Sequence, residues 1–212
     1  FASLAIQRAG APLSAVESMF STIQKLKHIV CTSFGVSEQT FGGEDWRSLN
    51  PLQGVGQGNG AGPAIWAVIS TVFFYLLREK GYGFEMQAPL SKLALHMAGC
   101  GFVDDTDIIQ AGLDGDDYWS VANKLQEALK WWETCTKVSG GALVPSKSWY
   151  GLVHFEWSDG EWSYKENLED AHVSIADLNG EETQLQILEP HEAKKMLGCL
   201  LYTSDAADDL FR

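Results

Sequence analysis

The stretch "KLALHMAGCGFVDDTDIIQAG", Lys92 to Gly112, sets two adjacent carboxylates, Asp104 and Asp105, between two apolar runs. Strand-like content on both sides puts the acids at or near a hairpin turn. Neighbouring like charges repel, so such a pair is tolerated best where a cation satisfies it. In a regular strand successive side chains point to opposite faces, so one ion meets both acids only if the turn twists them together. This predicts one main ligand and one helper. Mg²⁺ suits the donors, because it takes hard oxygens, keeps several waters and is held by one or two carboxylates plus substrate phosphates. A bare Asp-Asp pair is more often a solvated acidic turn, so its context decides.

Upstream, "AIWAVISTVFFYLL", Ala64 to Leu77, reads as a buried helix. It falls short of the about 20 residues that span a bilayer, so no membrane is expected. Pro63 suits the first turn of this helix, and Gly81 or Gly83 its end. The glycine-rich "LQGVGQGNGAGPAIW", Leu52 to Trp66, is a flexible loop feeding it. Earlier, Ser14 and Glu17 form a capping box, and Val16, Met19, Phe20, Ile23, Leu26 and Val30 recur at helical spacing. One amphipathic helix is predicted from Ala15 to Thr32, followed by short strands or loop in "FGVSEQTFGGEDWRSLNP".

Downstream, Tyr118, Val121, Ala122, Leu125, Ala128, Leu129 and Trp132 trace a helical face that Gly140-Gly141 terminates. "ALVPSKSWYGLVHFEW", Ala142 to Trp157, is strand-like, and "DGEW" turns a hairpin into "WSYKE". The acidic, turn-rich "WSDGEWSYKENLEDAHVSIADLNGEETQL" is assigned no chemistry. The order of elements predicts an α+β fold, with an antiparallel sheet backed by helices.

The chain has 212 residues, 45% of them hydrophobic, with eight Trp, which fits a globular protein. Cys31, Cys100, Cys135 and Cys199 lack C-x-x-C spacing, which favours reduced thiols and an intracellular setting rather than zinc or secretion. His28, His96, His154, His172 and His191 show no ligand spacing. Trp131, Trp132, Trp149, Trp157 and Trp162 are expected in cores rather than stacked on bases. A net charge of −13 opposes a tight grip on a phosphate backbone.

"GFVDD" resembles the aromatic-x-Asp-Asp signature of reverse transcriptases, with Phe102 where Tyr is usual. Upstream and in the right order, "QGNGAGPAIW", Gln57 to Trp66, resembles that family's Gln-Gly-x-x-x-Ser-Pro motif, with Gly62 in place of Ser. "GGALVPSKSWY" resembles the segment ending in Lys-Ser or Lys-Thr, and "KKMLG" the Leu-Gly turn that grips the primer. The stretch from Phe1 to Gly198 is similar to the reverse transcriptases of retroelements common in algae and other marine eukaryotes.

The resemblance implies a polymerase palm truncated at both ends. Residues 1–165 would form the palm without its first catalytic strand, and residues 166–198 would lead to the thumb through Leu197 and Gly198. The tail 199–212 is expected to be non-native, since "CLLYTSDAAD" resembles a translated sequencing adapter. The family's first catalytic aspartate and its basic fingers lie upstream of Phe1, so the chain alone is expected to be inactive.

The implied reaction is template-directed DNA synthesis, in which a primer 3′-hydroxyl attacks the α-phosphate of a deoxynucleoside triphosphate and pyrophosphate leaves. Two Mg²⁺ ions, or Mn²⁺ in their place, would serve it. By this resemblance Asp104 and Asp105 are the metal ligands, and Lys147, with Lys137 as rival, faces the departing pyrophosphate. Gln57, Gly58, Pro63, Phe102 and Val103 would line the nascent base pair, and partners would be a primed RNA or DNA template. Asp107 is expected to be a surface or hydrogen-bonding residue. The oligomeric state is open. The alternatives are a catalytically dead palm-like scaffold or nucleic-acid-binding domain, and a metal-dependent phosphohydrolase that uses the acidic hairpin alone.

Overall fold

The structure, a computed structural model, describes residues 1–43, 59–102, 105–165, 168, 171–177 and 179–188, with two further strands at 194–196 and 199–201 described by backbone alone. Helices and small sheets alternate, as an α+β fold requires. The chain divides into two compact units. The first holds Phe1–Leu76, Cys100–Asp107 and Lys137–Gly141, and the second holds Leu77–Gly99, Ile108–Thr136 and Ala142–Arg212.

In the first unit, helices α1 (Ala2–Arg8) and α2 (Leu13–Lys25) precede an antiparallel hairpin of β1 (Lys27–Thr32) and β2 (Gly35–Gly42). The single helix expected over Ala15–Thr32 therefore ends at Lys25. Leu26 adopts an extended backbone, and the β-branched residues Ile29, Val30 and Thr32 continue as strand, where such side chains are less restricted than in a helix. The expected capping box is also absent. Ser14 is already the second helical residue, Pro12 is the N-cap, and its carbonyl accepts from the amides of Ala15 and Val16 at 3.0 and 3.1 Å.

Helix α3 (Ala61–Glu79) starts where Pro63 predicts, its first turn supported by Asn59, whose Oδ1 accepts from the Ala61 amide at 2.9 Å. The helix is long and apolar enough, by length and composition, to cross a membrane. It is not buried all round. Ile65, Ile69, Phe73 and Leu77 form a buried stripe at i, i+4 spacing, while Val72 and Tyr75 face solvent. Phe1 and Trp66 pack their rings on Phe73, with centroids 5.8 and 6.2 Å away. After α3, the Gly81 amide donates to Arg78 O and the Tyr82 amide to Leu77 O, the paired bonds of a glycine-terminated helix end, with Gly81 at φ +81°.

In the second unit, β3 (Phe84–Gln87) and β4 (Ala94–Met97) form an antiparallel hairpin. Gly83 begins it at φ +109°, where a Cβ would stand 2.4 Å from the Met97 carbonyl oxygen, so only glycine fits. The Gln110 side chain clasps the same residue, accepting from its amide at 2.9 Å and donating to its carbonyl at 3.2 Å. Strands β5 (Gly99–Phe102) and β6 (Asp105–Ile108), of which Cys100–Asp107 belong to the first unit, pair with each other, and helix α4 then runs from Tyr118 to Val138. As expected, α4 stops ahead of Gly140, which takes φ +92°.

The core of the second unit is Ala122, Tyr150, Leu152, Leu168, Ala171, Val173, Ile175 and Leu185, with Val121, Leu125 and Leu129 of α4 packed against it. Five of these residues come from the acidic segment after Lys165, which the sequence alone left without a role: Leu168, Ala171, Val173, Ile175 and Leu185. Gln126 of α4 ties that segment down, donating to the Ser174 carbonyl at 2.9 Å and accepting from the Ser174 amide at 2.6 Å. Glu133 accepts from the Ala176 amide at 3.1 Å.

The strand-like run Ala142–Trp157 is interrupted rather than continuous. Pro145 opens a 3₁₀ turn over Pro145–Lys147, and β7 (Trp149–Gly151) and β8 (Phe155–Ser158) follow. Strand β8 pairs with β9 (Glu161–Tyr164) through Asp159 and Gly160, at φ 53° and 87°, the left-handed pair that a two-residue hairpin turn demands. Strands β10 (Ser174–Ala176) and β11 (Glu182–Gln184) form a further hairpin, and β12 (Gln186–Leu188) returns to pair with β7 in parallel. Strands β13 (Lys194–Met196) and β14 (Cys199–Leu201) pair with each other. The described strands thus make seven two-stranded sheets, one of them parallel, instead of the single antiparallel sheet expected.

Candidate functional site

The acidic hairpin is built by local geometry. Between the paired strands β5 and β6 only residues 103 and 104 remain, so the strands run antiparallel across a two-residue connection. The register follows from two observed bonds. Ile109 N donates to Ala98 O at 3.0 Å, and the Cys100 thiol donates to an Asp107 carboxylate oxygen at 3.6 Å. Counting inward from these pairs sets Phe102 opposite Asp105. Cross-strand partners share a face, so Cys100, Phe102, Asp105 and Asp107 lie on one face. On the other face Gly101 lies beside the Phe74 ring of α3, with space for little more than ordinary van der Waals contact.

Asp105 is exposed at the first position of β6, and Phe102 is 60% exposed across from it. Asp107 is half-buried. Desolvation pushes its carboxyl above the usual carboxylate range, the neighbouring Asp105 charge adds to this, and the bond from Cys100 opposes it. Burial raises the Cys100 thiol in turn, and the Asp107 charge raises it further. Cys100 is therefore a protonated donor at neutral pH and a poor nucleophile. Sequence reading passed over it as a reduced thiol. The signal that finds it is hairpin register, since Cys100 and Asp107 are equidistant from the two-residue connection.

Asp104, Val103, Gln57, Gly58, Leu197 and Gly198 lie outside the described residues. Pro63 is exposed in the first turn of α3, with Gly62 before it, and belongs to the same unit as Phe102 and Asp105. Lys147 is exposed at the end of the 3₁₀ turn and belongs to the second unit. Lys137 is exposed in the last turn of α4. Asp107 hydrogen-bonds as expected. The Trp66 indole N–H, in the helix that follows the glycine-rich loop, is buried without an acceptor among the described residues.

Three of the tryptophan expectations are corrected. Trp132 is buried as a core residue, whereas Trp157 and Trp162 are exposed and Trp131 sits at the surface with the Lys80 ammonium 3.8 Å over its ring.

The donor set suits a hard cation. Carboxylate oxygens on one strand face, with neither His nor a thiolate among them, match Mg²⁺ and not zinc or copper. Among the described residues no group of three ligating side chains forms a cage. A site of this kind would rely on one or two carboxylates and on oxygens brought by a substrate. Comparison with protein-family models, with curated proteins and with solved structures yields no match.

Proposed function

We propose that the chain is a palm segment of an RNA-directed DNA polymerase, in which the β5–β6 hairpin presents carboxylates to a magnesium-bound nucleotide. The observation that carries this reading is Asp105 opening β6, exposed, on a hairpin that follows α3 and precedes α4 along the chain. That position supports the resemblance of "GFVDD" to the polymerase signature, and the start of α3 at the Gly-Pro pair supports the upstream motif. Asp104 and Asp105 would hold the cation. When bound, the ions would lower the cost of the charge that develops on phosphate oxygens. Asp107, bonded to Cys100, would stiffen the strand behind them, and the exposed Phe102 ring would offer an apolar platform beside the acids.

The test is primer extension on an RNA template with Mg²⁺, using the chain fused to the upstream fingers and aspartate-bearing strand of a reverse transcriptase. The fusion should extend the primer, and Asp104→Asn should reduce extension by at least about a thousandfold, as for loss of a group that stabilises the transition state electrostatically. A fusion that binds primed template yet extends nothing would instead favour the scaffold reading.

A further inference from the structure

The β8–β9 hairpin sorts its side chains completely. Phe155 pairs with Tyr164 and Trp157 with Trp162, so four aromatic rings share one face, while Glu156, Ser158, Glu161 and Ser163 share the other. Phe155 is 49% exposed, Trp157 59% and Trp162 67%. The rings pair across the hairpin, with centroids 4.5 Å apart for the tilted Phe155 and Tyr164 and 5.2 Å for the two indoles, which meet edge to face. A contiguous row of exposed rings on a short hairpin marks a contact surface rather than scattered surface apolarity.

Charge selects the occupant. The hairpin's one cation, Lys165, is held by Glu156 at 2.6 Å, which leaves Asp159 and Glu161 to set a negative field at the tip of a chain of net charge −13. That field repels a phosphate backbone, which argues against single-stranded nucleic acid on these rings. It equally disfavours a second copy, which would bring the same acids together. A cation attracted to the tip meets the electron-rich faces of two indoles, a favourable arrangement when solvent is excluded. The protein already uses this chemistry at Trp131, where Lys80 lies over the ring. The planar guanidinium stacks on indole faces where an ammonium only points at them.

We propose that the aromatic face of the β8–β9 hairpin docks an arginine-rich peptide segment of a partner protein. Guanidinium groups stack on Trp157 and Trp162, and Asp159 and Glu161 steer the approach.

The experiment uses the full chain and three labelled probes: an oligo-arginine peptide, an oligo-lysine peptide of equal length, and oligo-thymidylate. Fluorescence anisotropy should show arginine bound about tenfold more tightly than lysine at equal salt, with oligo-thymidylate weakest. The double variant Trp157→Val/Trp162→Val keeps β-branched cross-strand partners and should abolish the preference for arginine. If that variant unfolds by circular dichroism, Trp157→Phe/Trp162→Phe decides, because it retains two rings and should give an intermediate preference. Equal binding of arginine and lysine, unchanged in the folded variants, would reduce the effect to general acidity and overturn the proposal. So would tighter binding of oligo-thymidylate, or self-association that competes with the peptides in sedimentation.

Discussion

Asp107 shows how burial and a neighbouring charge together move one carboxyl. Its carboxyl titrates above the ordinary range because it is desolvated and lies near Asp105. The sign follows directly. The folded state holds the proton more firmly than the unfolded state, so this group contributes stability below the unfolded carboxylate pKa and loses it as pH rises through the folded value. Asp107→Asn removes that titration. Its stability relative to the parent should therefore rise between pH 3 and pH 7, as read from urea midpoints at the two values. A difference that stays flat with pH would mean that Asp107 is as solvated in the fold as in the unfolded chain. The carboxylates of Asp116, Asp117 and Asp177 shift the opposite way through hydrogen bonds, and the same comparison at Asp177 should give the reverse slope.

Elements join tightly where glycine permits it. Gly83, at the start of β3, lies against the Met97 carbonyl and is clasped by Gln110. Gly83→Ala should cost about 2–4 kcal/mol, from a strained left-handed backbone plus the clash, measured by chemical denaturation. A cost under about 0.5 kcal/mol, the range of neutral surface changes, would contradict the close approach. Helices α3 and α4 were legible in the sequence because a long apolar period ends at a glycine in each. The α2–β1 boundary was not. Ile23, Leu26 and Val30 fit a helical spacing, and the mostly exposed strand β1 carries no inward-outward alternation to contradict it. The core residues Leu168, Ala171, Val173 and Ile175 were hidden for another reason: the alternation of Ala171, Val173 and Ile175 is short, and it sits in a segment otherwise dominated by acids and turn formers. At the candidate site, the place of Asp105 at a hairpin was legible from residue type and flanks, whereas the Cys100–Asp107 contact needed strand register, which depends on the length of the turn.

At the scale of the molecule, charge is the dominant feature. A net charge of −13 over 212 residues repels itself in the compact state more than in the expanded one. Among the described residues three exposed or half-exposed ion pairs, Lys124–Asp116, Lys130–Glu182 and Lys165–Glu156, each offset little of this. Raising NaCl from about 10 mM to about 150 mM shortens the screening length from about 30 to about 8 Å and should raise the thermal midpoint. A midpoint that falls with salt would show that the ion pairs outweigh the repulsion.

The parallel pairing of Trp149–Gly151 with Gln186–Leu188 also bears on synthesis at the ribosome. Trp149 and Tyr150 emerge well before the strand that completes their ladder, and the core residues Val173 and Ile175 emerge between the two. No shorter length of the growing polypeptide contains both halves of that ladder, so this hydrophobic wall waits for Leu188, in water or in the hands of a chaperone.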